Sequence, residues 1–359
     1  MILSAIKDRS EWLNIISKFP IEFQDIYFHP DYISLNCYKN NSEGFLFYNK
    51  DKEKIWINAF IKIKSPSFDN FNNHDYYDIE TAYGYGGPIS NKLDINFIKD
   101  SNKKFLSWVN ANNIVSEFVR FHPLFDITFY ASSEFEILDN RTTCSLDLSK
   151  VDSENILPFK AKAKNKIRKA LKSTEAFISH DIQDFIYFKK LYLNLMINKD
   201  AEKETLFSAL YFDKLFNLIL ENGFMSVIKN KNLETIAIAI FLNGKQSCHY
   251  HLSASKYYDY PGVNNLTIYN AALHAKKKKL HILHLGGGNN NDKDDKLFKF
   301  KNSMSTSNHK YYIGKRINNL EIYKKLKSSW KKKYPILYNK YSSRLLCYHL
   351  NTEIVDTNY

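Results

Sequence analysis

The sequence predicts a mixed α/β fold in two tandem domains, residues 1–150 and 151–359, each a central mixed sheet flanked by helices. Three observations carry that expectation. At 359 residues the chain exceeds the size at which one hydrophobic core usually keeps growing, so two domains are the default. Short apolar runs of strand length alternate with longer runs of helical period. Both halves follow one order of elements (helix, hairpin, strand, Gly/Pro turn, helix, strand) with negligible sequence identity, as two copies of one unit would.

Ser10 is placed to cap a helix through Lys18, with Trp12, Ile15, Ile16 and Phe19 on one face and Pro20 ending it. A second helix-like segment, Asp25 to Tyr32, precedes two strands, Gly44–Tyr48 and Lys54–Ile63, around Asn49-Lys50-Asp51. A strand over Ile79–Tyr85 runs into Gly86-Gly87-Pro88, followed by a helix over Ile95–Asn110 and a strand over Ile114–Phe121. The boundary falls near Thr142–Asp152. Beyond it come a basic helix over Lys160–Lys172, a helical region over Asp184–Leu220, and strands Phe224–Lys229 and Glu234–Leu242. The run Ile236 to Phe241 suits a strand buried on both faces. The strand His249–Ser255, the turn Pro261-Gly262, a helix from Asn264 to Lys279 and the strand Ile282–Leu285 complete the second unit, which breaks off into Gly286-Gly287-Gly288.

Composition sets limits on function. With 44% hydrophobic and 15% aromatic residues and only 11 Gly and 8 Pro, the chain is too apolar for a disordered protein and has little room for flexible linkers. Cys37, Cys144, Cys248 and Cys347 form no C-x-x-C pair, which suits a reducing compartment and gives neither a disulfide framework nor a zinc knuckle. Charged residues begin at Lys7 and no window approaches eighteen uncharged apolar residues, so a cytoplasmic protein without stable membrane insertion is expected. The net charge of +13 reflects either a lysine-rich composition or an anionic partner.

Five segments together carry a family resemblance: Asp25 to Tyr32, Ala82 to Pro88, Tyr250 to Ser255, Leu285 to Gly288, and Leu297-Phe298-Lys299-Phe300-Lys301. In this order they resemble the Fem-type branch of the GNAT acyltransferase superfamily, which includes peptidoglycan interpeptide-bridge aminoacyltransferases and relatives encoded with surface-polysaccharide genes. The resemblance spans nearly the whole chain. It implies two GNAT-like domains and transfer of an acyl or aminoacyl group to an amine of a cell-envelope precursor, with acyl-CoA or aminoacyl-tRNA as donor. It also implies that Lys301 lies at the catalytic centre, where an ammonium can neutralise the oxyanion of an acyl-transfer intermediate. The family's second phenylalanine is replaced by Met304.

The remaining candidates follow from residue chemistry. Gly86 and Gly87 would let backbone N–H groups approach a substrate, with Tyr83 and Tyr85 supplying hydroxyls and flat faces. By resemblance this loop stands where Fem-type enzymes carry an arginine-glycine-proline substrate loop, and no arginine precedes Gly87-Pro88 here. His249 and His251 should face one side of their strand, and an imidazole such as His251 can deprotonate an attacking amine at neutral pH. Two histidines on one strand are too few for a metal site, and no metal is expected. Tyr250, Ser253 and Phe300 stand as substrate-binding candidates within the same motifs. Asn264 or Asn265 is placed to cap the helix after Gly262, so that its N–H groups face a ligand; the superfamily's Q/R-x-x-G-x-G/A phosphate loop is missing. Phosphate binding is therefore expected on the basic helix, through Lys164 and Arg168. Lys324 to Lys333 forms a second basic cluster.

The expected partners are an anionic small-molecule or lipid-linked precursor and tRNA. Two alternatives stand beside this reading: an acyl-CoA-dependent N-acetyltransferase acting on a nucleotide-linked amino sugar, and a non-catalytic protein that binds anions or nucleic acid. The second lacks the zinc-finger or RRM signatures such binders carry.

Overall fold

The computed structural model describes residues 1–37, 42–67, 75–154, 156, 158–198, 207–256, 259–292 and 294–350. In chain order the elements are β1 (Ile2–Ser4), α1 (Arg9–Ile16), α2 (Pro30–Leu35), β2 (Glu43–Asp51), β3 (Lys54–Lys64), β4 (Tyr77–Glu80), β5 (Ile89–Ser90), α3 (Ile95–Ala111), β6 (Ile114–Arg120) and β7 (Glu136–Asp147). They continue with α4 (Ala161–Leu171), β8 (Thr174–Ser179), α5 (Ile182–Asn198), α6 (Ala209–Asn222), β9 (Gly223–Asn230), β10 (Thr235–Asn243) and β11 (Ser247–Ser255). The last are α7 (Val263–Lys277), β12 (Ile282–Gly287), α8 (Lys296–Asn302), β13 (Ser307–Ile317), α9 (Leu320–Lys333) and α10 (Pro335–Tyr341). Part of the single helical region expected over Asp184–Leu220, residues 199–206, lies outside the described residues.

The chain divides into two compact units, as expected of tandem α/β domains. Unit 1 takes Met1–Phe23, Tyr27–Asn140 and the residues from Tyr311 on; unit 2 takes Gln24–Ile26 and Arg141–Lys310. The expected division at residue 150 differs in where the last stretch goes. β13 pairs antiparallel with β6 from Ile313↔Arg120 to Ile317↔Ser116, and Tyr348 and His349 reach the fully buried Asp78 of β4 at 2.7 and 2.8 Å. Nothing local in the sequence marks that return, because strand pairing across two hundred residues leaves no periodicity.

Unit 1 is built on a sheet in the order β1-β2-β3-β4-β6-β13, with β5 added to β3; all pairs are antiparallel except β4 with β6. The first strand of the β2–β3 hairpin runs three residues further than the sequence suggests, because β2 continues through Asp51 and the turn falls at Lys52, whose φ of 54° is the left-handed value such a turn demands. Against this hairpin α3 buries Phe105, whose ring lies 5.1 to 6.0 Å from those of Phe47, Trp56, Phe60 and Trp108. Asp94 caps α3 by accepting from the Phe97 N–H at 3.0 Å.

Unit 2 is a second sheet in the order β7-β12-β11-β10-β9-β8, mixed because β11 and β12 are parallel. The β10 run from Ile236 to Phe241 is buried throughout, as its unbroken hydrophobicity predicts. On one face Ala237, Ala239, Phe241 and Cys248 form a core with Ala163, Ile167 and Ala170 of α4 and with Leu266, Ile268, Ala271 and Ala275 of α7. The alternating positions Met225, Val227, Ile238 and Ile240 point to the other face, where α5 and α6 pack. The basic helix forms as expected, with its apolar stripe inward, except that Leu171 is exposed.

The cap of α7 departs from expectation. Its N-cap is Gly262, at φ 96°, while Asn264 and Asn265 lie inside the first turn and Asn265 is buried. A Cβ on Gly262 would stand 2.5 Å from the Lys166 carbonyl oxygen, so glycine is required both by φ and by the close approach of α4. Gly262→Ala is expected to cost about 2 kcal/mol or more, since the strained φ and the backbone clash add. A thermal melt within a degree of the unmodified chain would refute this.

Candidate active site

The site is set by how two parallel strands part. β11 and β12 are paired for only three residues, Ser247↔Ile282, Cys248↔Leu283 and His249↔His284. Beyond them β11 stays with β10 as far as Ser255, and β12 stays with β7 through Gly286↔Cys144 and Gly287↔Thr143. Each strand carries an irregularity where it leaves the other. On β11, Leu252 and Tyr250 pair with Ile240 and Phe241, leaving His251 as the extra residue; on β12, Leu285 is extra and Gly286 takes φ 76°. Such bulges bend a strand and raise its twist, so together they open a wedge edged by main-chain groups.

Lys301 bridges that wedge. Its amine donates to the Gly287 carbonyl of β12 at 2.9 Å and stands 5.6 Å from the ring centroid of Tyr250 on β11. Its helix α8 starts at Asp295, which accepts from the N–H groups of Phe298 at 2.6 Å and Asn289 at 3.1 Å. A Cβ at Gly288 would lie 2.3 Å from that carboxylate, so the glycine run lets the strand exit fold tightly onto the cap. The Arg141 guanidinium donates to the carbonyls of Gly288 at 2.8 Å and Asn289 at 3.1 Å.

Burial sets the protonation of this cluster. It lowers the Lys301 amine from 10.5 to about 8, against weaker opposing pulls from Cys144 and Asp295. Burial also pushes the Cys144 thiol up to about 11, so that it is protonated near neutrality and no nucleophile. Tyr250 is raised by burial too, and its hydroxyl donates to Ser253 at 2.5 Å. At neutral pH the wedge therefore holds one ammonium beside a neutral thiol, a neutral phenol and a hydroxyl.

Solved structures share this architecture. FemX superposes over 88% of this chain and 97% of its own length with a TM-score of 0.63, at 13% sequence identity. The chain has the FemX fold. The C-terminal domain of a putative lysylphosphatidylglycerol synthetase from Agrobacterium fabrum matches over 86% of this chain and 92% of its own (TM-score 0.54, 10% identity), and L-PGS from Bacillus licheniformis over 88% and 94% (TM-score 0.52, 11% identity). No protein-family model and no curated protein matches the sequence.

Within the FemX fold the sequence-derived candidates separate. Lys301, Tyr250 and Ser253 meet at the wedge. Phe300 instead packs against the α4–α7 core, and Asn265 is enclosed within α7. Lys164 and Arg168 lie on the outer side of α4, half-buried and exposed respectively. Tyr83, Tyr85, Gly86 and Gly87 belong to unit 1. There Tyr83 is half exposed and Tyr85 sets its ring edge-on to Tyr27 and Tyr311, while Gly84 and Gly87 take φ of 93° and 100°. The Gly86 N–H is already given to the Arg120 carbonyl at 2.8 Å, and its own carbonyl accepts from His122 at 3.0 Å, so it has no amide to offer a ligand.

His251 requires a similar correction. Its Nε2 lies 2.6 Å from the Tyr211 hydroxyl of α6, and burial, with His249 adding to it, lowers its pKa to about 3. An imidazole held that low is neutral at pH 7 and a poor proton acceptor. His249 is also committed: its Nε2 is 2.8 Å from Asp25 and its Nδ1 3.4 Å from His284, which in turn lies 3.1 Å from the Thr143 hydroxyl. Ser247 donates to the same Asp25 carboxylate. This buried polar chain escaped the sequence reading because Asp25 is 224 residues from His249.

Proposed function

We propose that the chain is an acyltransferase that moves an acyl or aminoacyl group from an activated ester or thioester donor to an amine of a cell-envelope precursor in the cytoplasm. The observation that carries this reading is the Lys301 ammonium, fixed between the diverging strands by Gly287 and Tyr250. The acceptor nitrogen adds to the donor's acyl carbon, forming the C–N bond and turning the carbonyl oxygen into an oxyanion. Lys301 neutralises that charge in a site from which burial has removed much of the competing water. Collapse breaks the bond to the donor's oxygen or sulfur, and this leaving group takes the proton the amine gives up. Lys164 and Arg168 of α4 supply cations for donor or precursor phosphates. The fold shared with FemX and with the C-terminal domain of a protein named as a putative lysylphosphatidylglycerol synthetase supports the aminoacyl form of the reaction.

The test is a thermal-shift screen of acetyl-CoA, longer acyl-CoAs, nucleotide-linked amino sugars and aminoacyl-tRNA, followed by mass detection of the acylated amine. A donor held at a hundred times its dissociation constant should stabilise the fold by ~2.7 kcal/mol. A shift with acetyl-CoA and a nucleotide-linked amino sugar alone would move the reading to N-acetylation. No shift and no product with any donor would overturn it.

A further inference from the structure

We propose that the corner made by α9 and α10 docks the protein on an anionic lipid surface, a property that does not depend on the chemistry assigned above. α9 buries Ile322, Tyr323, Leu326 and Trp330 within unit 1, and its other sides carry lysines. From Glu321 to Arg344 the sequence has eight cations and one carboxylate, Glu321, which Lys325 already pairs at 2.6 Å. Lys331, Lys332 and Lys333 are all exposed.

The corner itself is apolar. Pro335 opens α10, and the next residue, Ile336, is 82% exposed, the most exposed large hydrophobic side chain among the described residues. Tyr334 and Tyr338 flank it, each with a lysine over its ring, Lys333 at 5.3 Å and Lys331 at 5.0 Å. An aliphatic tip, a rim of tyrosines and a collar of cations match, in order of depth, the acyl boundary, the headgroup level and the anionic surface of a bilayer. Nucleic acid fits less well: these tyrosine faces are occupied by lysines and not open to stacking bases, and a phosphate backbone gives Ile336 nothing to bury against. Among the described residues no helix is long and apolar enough to cross a membrane, so the contact is peripheral.

Sedimentation of the full chain with vesicles of phosphatidylcholine alone, or with one third phosphatidylglycerol, tests this. Binding is expected only to the anionic vesicles. The combined Lys331→Gln, Lys332→Gln, Lys333→Gln variant should lose roughly a hundredfold in partitioning, about fivefold per charge. Ile336→Asp should lose at least about tenfold, the share of one buried aliphatic side chain. Because Ile336 touches little of the fold, that variant decides the matter even if the triple variant unfolds. Absence of vesicle binding, or binding that Ile336→Asp leaves unchanged, would overturn the proposal. So would tRNA binding in a gel shift that the lysine changes weaken and Ile336→Asp does not, with vesicles unbound.

Discussion

Lys301→Ala is expected to lower turnover by roughly 10²–10³-fold, the usual cost of one oxyanion donor, while the thermal melt stays near that of the unmodified chain. The fold does not depend on this charge, since burial already disfavours it. The same shift gives the reaction a pH signature. Activity that needs the ammonium should fall as pH rises through about 8, and Lys301→Arg, which cannot lose its proton, should keep part of the activity and lose that limb. The stability sign is opposite. Between about 8 and 10.5 the unfolded chain holds the Lys301 proton that the folded chain has released, so this residue's contribution to stability rises with pH across that window. Turnover of Lys301→Ala equal to the unmodified chain would remove Lys301 from the chemistry.

Asp25→Ala should produce the largest loss of stability among single polar substitutions in unit 2, about 3 kcal/mol or more, read as a lower denaturant midpoint. The carboxylate is fully buried and partners both Ser247 and His249, so removing it strands two enclosed polar groups at once. Asp25→Asn should cost less, because an amide oxygen still accepts. A loss below about 1 kcal/mol for Asp25→Ala would mean that the buried chain relaxes freely.

These two residues show what a sequence can and cannot convey. Lys301 was singled out through the resemblance alone, from a Phe-Lys motif behind a glycine exit; what the structure adds is its position, on a helix capped by Asp295 with its amine on the Gly287 carbonyl. The strands of both hairpins and the basic helix were legible because they are fixed by periodicity within a dozen residues. Asp25 was not, since its partners lie on a strand more than two hundred residues away. The cap of α7 was misplaced because the usual preference for asparagine yields to packing, with the Lys166 backbone pressing where only Gly262 leaves room. The roles expected of His251 and Gly86 failed on hydrogen bonding. Each residue type suits the task, but Tyr211 and the Arg120 carbonyl already hold the groups in question.

The return of the chain to unit 1 from Tyr311 on also governs biogenesis. A ribosome delivers every residue of unit 2 before it delivers the strand that pairs with β6, so the unit that starts first is completed last. Until then nascent unit 1 carries an open sheet edge at β6 and a buried-type carboxylate, Asp78, without the Tyr348 and His349 that later enclose it. The time taken to deliver β13 and the stretch on to His349 thus sets how long that edge is available to wrong partners.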